Sequence, residues 1–324
     1  MTTMRGMRQV DLAGAPAIPG LRSRFFADTS DYEALASLFG VANQADQVPW
    51  FPTAQNIELE MGGGDGADPV NDIVLVEVDG RLVAGTGLER TLREDGPTYD
   101  IWGAVDPAYR RRGLGTALLR WTMAQARVRA SREDPRTAVH VRGFTEDTET
   151  GHRALLEAAG FRTVRHFFLM RRTGLDDVPD APLPQGLEIR PVAEDQWRTI
   201  FDAENEAFRD HWGHREMTDS DFRRTYSADE LDTDLWVVAW DGDQVAGVVQ
   251  TWVRPEENER LGVRRGWGVG EFVGVGVATS VDVAGKTVAV CGEEGVAGMW
   301  AGAQPKALKT VKTSSRKNLF IYPF

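Results

Sequence analysis

Apolar and polar positions follow the same order in two segments of the chain, residues 74–86 and residues 236–248. Each contains two apolar runs separated by an Asp-Gly pair, a strong signal for a β-hairpin. Each follows a short strand pattern and then a segment with apolar residues at helical spacing. These preludes are strand 21–26 and helix 31–43 in the first copy, and strand 187–192 and helix 194–212 in the second. The pattern predicts a duplicated α/β unit.

A proline-rich segment separates the two copies. Residues 173–186 read TGLDDVPDAPLPQG and show no helical pattern, as is typical of an exposed connection between domains. We therefore expect a first domain over residues 15–173 and a linker over 174–186. A partial second domain is expected over 187–267, followed by an aberrant tail over 268–324.

The tail differs abruptly in composition from the rest of the chain. All five lysines fall after residue 285, and no leucine or isoleucine occurs between positions 262 and 306. Eight basic and four acidic residues follow position 261, against 29 basic and 45 acidic residues before it. Either the second domain has decayed into a lobe that binds no coenzyme, or residues after about 267 are translated out of the ancestral reading frame. We favour the change of frame, and we predict no fold for residues 268–324.

Composition and charge argue against several classes of protein. The chain of 324 residues is 42% hydrophobic and 27% charged, as in ordinary globular proteins, and its net charge of −12 disfavours a nucleic-acid partner. The single cysteine, Cys291, cannot form an internal disulfide, and residues 1–10 lack the apolar core of a signal peptide. No apolar run is long enough to span a membrane. We expect a cytoplasmic protein without a membrane or nucleic-acid partner.

One loop in the first copy carries recognisable chemistry. A strand over residues 98–105 leads into DPAYRRRGLGTALL at positions 106–119, and a helix starts at about Gly115. Glycines at 113 and 115 let a backbone approach an anion closely, and the start of a helix offers unpaired N–H groups. A tight turn beside a solvated arginine run is the alternative interpretation. No Gly-Lys-Ser/Thr and no third glycine follow, which disfavours a P-loop or a dinucleotide site.

The ordered sequence VDPAYRRRGLGTALL resembles the acyl-CoA-binding motif of the GNAT superfamily of N-acetyltransferases. The resemblance implies a mixed-sheet α/β fold flanked by helices, in which backbone amides of the loop hold the coenzyme A pyrophosphate. It also implies that the end of the preceding strand pairs with the pantetheine arm. The cofactor-binding residues implied are Val105, Arg110, Arg111, Arg112, Gly113, Leu114, Gly115 and Thr116.

The first copy departs from the family near its end. Residues 154–161 (ALLEAAGF) resemble the closing family motif, but Leu156 replaces the tyrosine that protonates the leaving thiolate, and Glu149 replaces a common asparagine. Leucine cannot donate a proton. A carboxylate near the strand before the motif is a candidate base, and we select Asp100 over Glu89, although both also fit solvated edge charges.

The second copy resembles tandem GNAT proteins of the mycothiol-synthase type in its first-helix region, residues 202–213, but its cofactor motif is absent. Gly268, Gly270 and Gly274 do not fit a nucleotide-binding set, because no βαβ unit surrounds them. His211 and His214 lack a third metal ligand, so a surface role is favoured and no metal is proposed.

Together these features predict tandem GNAT-type domains of which the second is incomplete. The predicted activity is acetyl transfer from acetyl-CoA to a primary amine of a small molecule, by direct attack in a ternary complex. A mycothiol-synthase-like acetyltransferase is a narrower alternative. The competing class is an acyl-CoA-binding or regulatory protein with little or no turnover, which Leu156 favours.

Overall fold

The computed structural model of the chain describes residues 8–62, 66–172, 182–211, 214–226, 231–253, 255–262, 265–272, 287–292 and 311–323. It divides into two compact units, one formed by Met1–Arg165 with Asn318–Phe324 and the other by His166–Lys317. Most of the expected linker lies outside the described residues, as does most of the tail from 268 onward.

The first unit is a mixed sheet with helices on both faces. Its strands are β1 (Leu21–Phe25), β2 (Ile73–Val78), β3 (Arg81–Arg93), β4 (Gly96–Val105), β5 (His140–Glu146) and the start of β6 (Arg162–Arg172). Its helices are α1 (Ser30–Asp46), α2 (Ala54–Met61), α3 (Pro69–Asp72), α4 (Leu114–Ala130) and α5 (Thr150–Ala158). The strands β1 to β5 lie in sequence order, and only β4 and β5 pair in parallel. The first predicted strand, helix and hairpin are therefore present.

The Asp-Gly turn between β2 and β3 has the geometry that its sequence predicts. Asp79 and Gly80 both have positive φ, at 51° and 81°. Two consecutive positive φ values match the twist of the flanking strands, which explains why Asp-Gly is favoured there.

Strand β4 lies between two apolar layers because successive side chains of a strand point to opposite faces. On one face, Ala104 packs in a cluster with Leu35 and Phe39 of α1. On the other, Tyr99 and Ile101 pack with Met123 of α4. The strand that leads to the predicted anion loop is therefore fixed on both sides.

The first unit also includes the end of the chain. Strand β12 (Val311–Pro323) lies next to β5, and Asn318 donates from Nδ2 to Asp147 Oδ1 at 2.9 Å. Leu319 and Phe320 are fully buried, and the ring of Tyr322 lies 5.3 Å from that of Phe161. The sequence predicted no structure for this segment.

The second unit repeats part of the first. It contains β7 (Glu188–Ile189), α6 (Trp197–Ala207), α7 (Asp219–Tyr226), β8 (Val237–Asp241), β9 (Gln244–Val253), α8 (Pro255–Leu261), β10 (Arg265–Phe272) and β11 (Thr287–Gly292). The predicted hairpin is present as β8 and β9, while the predicted strand and helix before it are shorter than expected. β10 pairs antiparallel with β9 and parallel with β11, the same arrangement as β3, β4 and β5. The expected domain end at 267 falls within β10.

Candidate active site

The pairing of β4 and β5 stops before either strand ends, and we call the region beyond the last pair the wedge. Their parallel pairing runs from Thr98 opposite His140 to Ile101 opposite Gly143, where the recorded pairing ends. Beyond this point β4 continues to Val105 and stays paired with β3 on its other side. The backbone of residues 102–105 therefore has an edge that faces the wedge, and Val105 lies at its outer end. The motif resemblance implies that the pantetheine arm pairs with this end of β4.

The loop after β4 presents a row of backbone donors. Asp106 begins it by accepting a hydrogen bond on Oδ1 from the amide of Ala108 at 2.9 Å. Arg111 and Gly113 both have positive φ, at 60° and 97°, and α4 starts at the next residue. Across the part of the chain that the structure describes, no group accepts a hydrogen bond from the amides of residues 111–116. Such a row at the positive end of a helix dipole favours an anion.

The two loop glycines have different roles. A side chain at Gly113 would meet no atom within 4 Å, so its positive φ is what requires glycine. A Cβ at Gly115 would lie 3.3 Å from Leu155 Cδ2 on α5. Gly115 therefore allows the start of α4 to pack closely against α5.

The side chain of Arg110 is engaged within the protein. It forms a bidentate ion pair with Asp46 at the end of α1, with N–O distances of 2.7 and 2.8 Å, and its Nε donates to the carbonyl oxygen of Val105 at 3.0 Å. Arg111 and Arg112 are exposed, and Arg112 lies 5.4 Å from the ring centroid of Tyr109. Arg110 therefore holds the loop in place, and the exposed arginines supply its positive field.

The predicted base, Asp100, is held by arginines. Its Oδ1 accepts from Arg142 Nε at 2.9 Å, and its Oδ2 accepts from Arg93 Nη2 at 3.1 Å and Thr91 Oγ1 at 3.2 Å. Burial lowers the pKa of Arg142, and Asp100 partly offsets this effect. Glu89 lies directly opposite Asp100 in the register of β3 and β4. The structure thus brings the two candidates together, but both oxygens of Asp100 already have donors.

Leu156 is part of the core. It is 1% exposed and packs in the same cluster as Ile101, and its Cδ1 lies 3.3 Å from where a Cβ of Gly143 would stand. It thus lies beside the point where β4 and β5 separate, and it brings no ionisable group there.

Sequence reasoning missed two features near the site. Asp46 carried no signal, since its partner Arg110 is 64 residues away. At the end of β5, Glu149 Oε2 accepts from the amide of Glu146 at 2.7 Å, while its Oε1 lies 3.4 Å from Nδ1 of His152. The spacing of three residues across the start of α5 is a readable signal for this pair. No group of three potential metal ligands occurs among the described residues.

Comparison with known proteins identifies the family. The sequence profile of the acetyltransferase (GNAT) domain matches residues 69–163. The mycothiol acetyltransferase of Kineococcus radiotolerans is 30% identical over 291 residues, which cover 88% of this chain and 86% of that protein. The chain belongs to the tandem GNAT acetyltransferases. A second relative of this family, the mycothiol acetyltransferase of Brachybacterium faecium, is 32% identical over 162 residues, and this match covers 48% of the chain and 45% of that protein.

Solved structures of GNAT proteins share the fold. A GCN5-related N-acetyltransferase from Sphaerobacter thermophilus aligns over 95% of this chain and 96% of its own, with a TM-score of 0.62 and 20% identity. A tandem GNAT protein from the clavulanic acid biosynthesis pathway aligns over 94% and 98%, with a TM-score of 0.59 and 15% identity. The mixed α/β class predicted from the sequence is confirmed.

Family membership also establishes the type of enzyme. The chain is an acetyl-CoA-dependent N-acyltransferase, as the sequence motif predicted. Within the described residues of this GNAT protein, no helix is both long and apolar enough to cross a membrane.

Proposed function

We propose that the first unit binds acetyl-CoA and transfers its acetyl group to a primary amine of a small molecule by direct attack in a ternary complex. The observation that carries the proposal is the row of amides at residues 111–116, for which the described part of the chain supplies no acceptor, beside the open edge of β4. A pyrophosphate on the amides and a pantetheine arm along the end of β4 near Val105 would bring the thioester toward Gly103, beyond the last pair of β4 and β5. The amine would meet it there.

The acceptor that we favour contains a cysteinyl amine linked to a sugar. The support is the name of the relative that matches 88% of the chain, a mycothiol acetyltransferase. The net charge of −12 adds a mild preference for cationic amines over acidic ones. We further propose that the protein works in the cytoplasm.

A second candidate, an acyl-CoA-binding protein with little turnover, is favoured by one observation. Leu156 offers no proton to a leaving thiolate, and its side chain is fully enclosed. Binding of acetyl-CoA is common to both candidates, and turnover separates them.

Binding is tested by calorimetry on Thr116→Glu. Thr116 is exposed and is the third residue of α4, where a carboxylate stabilises a helix by about 0.3–1 kcal/mol. The same carboxylate would repel a pyrophosphate on the loop. We expect the wild type to bind one acetyl-CoA in the first unit, and the variant to stay folded and lose that binding.

Val128→Glu is the matched control, because Val128 is an exposed residue near the other end of the same helix. It adds the same charge about 18 Å from Thr116. Unchanged binding in Thr116→Glu, or equal loss in both variants, would contradict the proposed site. Release of free thiol with a panel of amines, including a cysteinyl aminosugar, then tests turnover. Binding without thiol release from any amine would support the second candidate.

A further inference from the structure

Two buried threonine hydroxyls meet at the point where the wedge opens. Thr86 on β3 donates from Oγ1 to the carbonyl oxygen of Trp102 at 2.7 Å, and the same Oγ1 lies 2.7 Å from Oγ1 of Thr122 on α4. Thr86 is 3% exposed and Thr122 is fully buried. Trp102 is the first residue of β4 beyond the recorded pairing with β5.

The two hydroxyls have separate acceptors. Each hydroxyl has one proton, and Thr86 uses its proton on the carbonyl oxygen of Trp102. Thr122 donates from Oγ1 to the carbonyl oxygen of Leu118, one turn earlier on α4, at 3.0 Å. Thr86 therefore holds the carbonyl of Trp102, while Thr122 is bonded within its own helix.

The ring of Trp102 is fixed as well as its carbonyl. Gly87 faces it on β3, where a Cβ would lie 2.7 Å from the indole. On the other side the ring centroid lies 5.6 Å from that of Phe39. With its ring and its carbonyl both held, the peptide group between Trp102 and Gly103 has a set orientation.

That orientation points an amide into the wedge. In a trans peptide the N–H of one residue points opposite to the carbonyl of the residue before it, and the chain has no cis peptide bond in its described residues. The carbonyl of Trp102 points toward β3, so the N–H of Gly103 points toward the side of β5. The recorded pairing with β5 has ended two residues earlier.

We propose that Thr86 is a positioning residue for acyl transfer, which aims the N–H of Gly103 at the carbonyl oxygen of a bound thioester. This inference rests on the proposed function of the first unit. During attack, the amine lone pair forms the N–C bond and the carbonyl oxygen takes the negative charge. The C–S electrons then leave with the thiolate as the carbonyl reforms, and the proton lost by the amine balances the one that the thiolate gains. A fixed N–H donor stabilises the charged oxygen.

The test compares three variants of the full chain. Thr86→Val keeps the shape of the side chain but removes the donor, Thr86→Ser retains the hydroxyl, and Thr122→Val removes the neighbouring buried hydroxyl while leaving the bond to Trp102. We expect Thr86→Val to lower kcat about 10-fold, with the KM for acetyl-CoA within about 2-fold of wild type. Thr86→Ser should retain most of kcat, and Thr122→Val should lose less than about 3-fold.

A spectroscopic measurement gives a second readout that does not depend on the acceptor. The infrared stretch of a 13C-labelled thioester carbonyl falls when the oxygen accepts a hydrogen bond. We expect a lower frequency in acetyl-CoA bound to the wild type than in acetyl-CoA bound to Thr86→Val. Equal frequencies, or equal losses of kcat in Thr86→Val and Thr122→Val, would overturn the positioning role. Absence of acetyl-CoA binding by the wild type would overturn the proposed function as well, so the two failures are distinguishable.

Discussion

Arg110 and Asp46 join the anion loop to the end of α1 through two parallel hydrogen bonds of 2.7 and 2.8 Å. A planar guanidinium makes this fork and an ammonium group does not. Both side chains are partly exposed, so we expect the pair to act by holding the loop and to add little to overall stability.

Arg110→Lys and Asp46→Asn should therefore each weaken acetyl-CoA binding by about 3–10-fold, and the double variant should be no weaker than either single variant. Calorimetry measures the three affinities. If Arg110→Lys weakens binding while Asp46→Asn leaves it unchanged, Arg110 contacts the coenzyme directly, as the motif resemblance implied.

Asp221 gives the second unit a stability that depends on pH. Its burial alone would raise its pKa, but Arg215, the amide of Thr218 and Arg224 lower the pKa to about 2. Because the folded pKa is lower than the unfolded one, the stabilisation is complete above about pH 4 and is lost as pH falls toward 2.

Asp221→Asn should destabilise the protein by about 1–2 kcal/mol at pH 7, after allowance for solvent screening, and by progressively less below pH 4. Thermal unfolding across this range measures the difference. Asp219 lies on the same helix as Asp221, and its exposed carboxylate pairs with Arg198 of α6. Asp219→Asn should have a much smaller effect at every pH. Equal effects of the two variants would show that the buried contacts of Asp221 do not stabilise the fold.

Leu156→Tyr should destabilise the fold even though it introduces a side chain that can donate a proton. The side chain is enclosed beside Gly143 and Ile101, so the larger tyrosine ring would overpack the core. This overpacking should lower the free energy of unfolding by about 1–3 kcal/mol. Leu156→Met, which nearly conserves volume, should cost less than about 1.5 kcal/mol. Thermal unfolding and thiol release are measured on both. A faster Leu156→Tyr enzyme with unchanged stability would mean that the tyrosine extends into the wedge.

Phe320 should stabilise the first unit although it lies near the end of the chain. It is fully buried in a cluster with Leu156 and Phe161. Phe320→Ala should cost about 3–5 kcal/mol of unfolding free energy, while Phe320→Leu should cost much less. Denaturant unfolding measures both. Wild-type stability of Phe320→Ala would show that β12 is not part of this core.

The sequence predicted the parts of the site that depend on local chemistry. The turn at Asp79 and Gly80, the loop glycines and the start of α4 are coded by neighbouring residues, because positive φ values and helix starts need particular residue types. The role of Asp100 as a base stays a prediction, since the identity of a carboxylate does not reveal how many arginines surround it.

Other features depend on contacts between distant residues and could not be predicted from one sequence. Asn318 bonds to Asp147 across 171 positions, and its segment of the chain carried no pattern that names a partner strand. The hydroxyl pair of Thr86 and Thr122 likewise looks like any two threonines until β3 and α4 are packed together. The biased composition after residue 262 also gave no strand pattern from which the parallel pairing of β10 with β11 could be predicted.

The position of Asn318 and Phe320 in the first unit has a consequence for synthesis. The first 165 residues emerge from the ribosome without the strand that completes their sheet, since that strand is made about 150 residues later. Translation proceeds at about 5–20 residues per second, so the edge of β5 stays without its partner strand for roughly 8 to 30 seconds. A nascent chain in that interval has an unpaired strand edge, so this enzyme should depend on chaperones during translation more than a GNAT domain whose strands are contiguous in sequence.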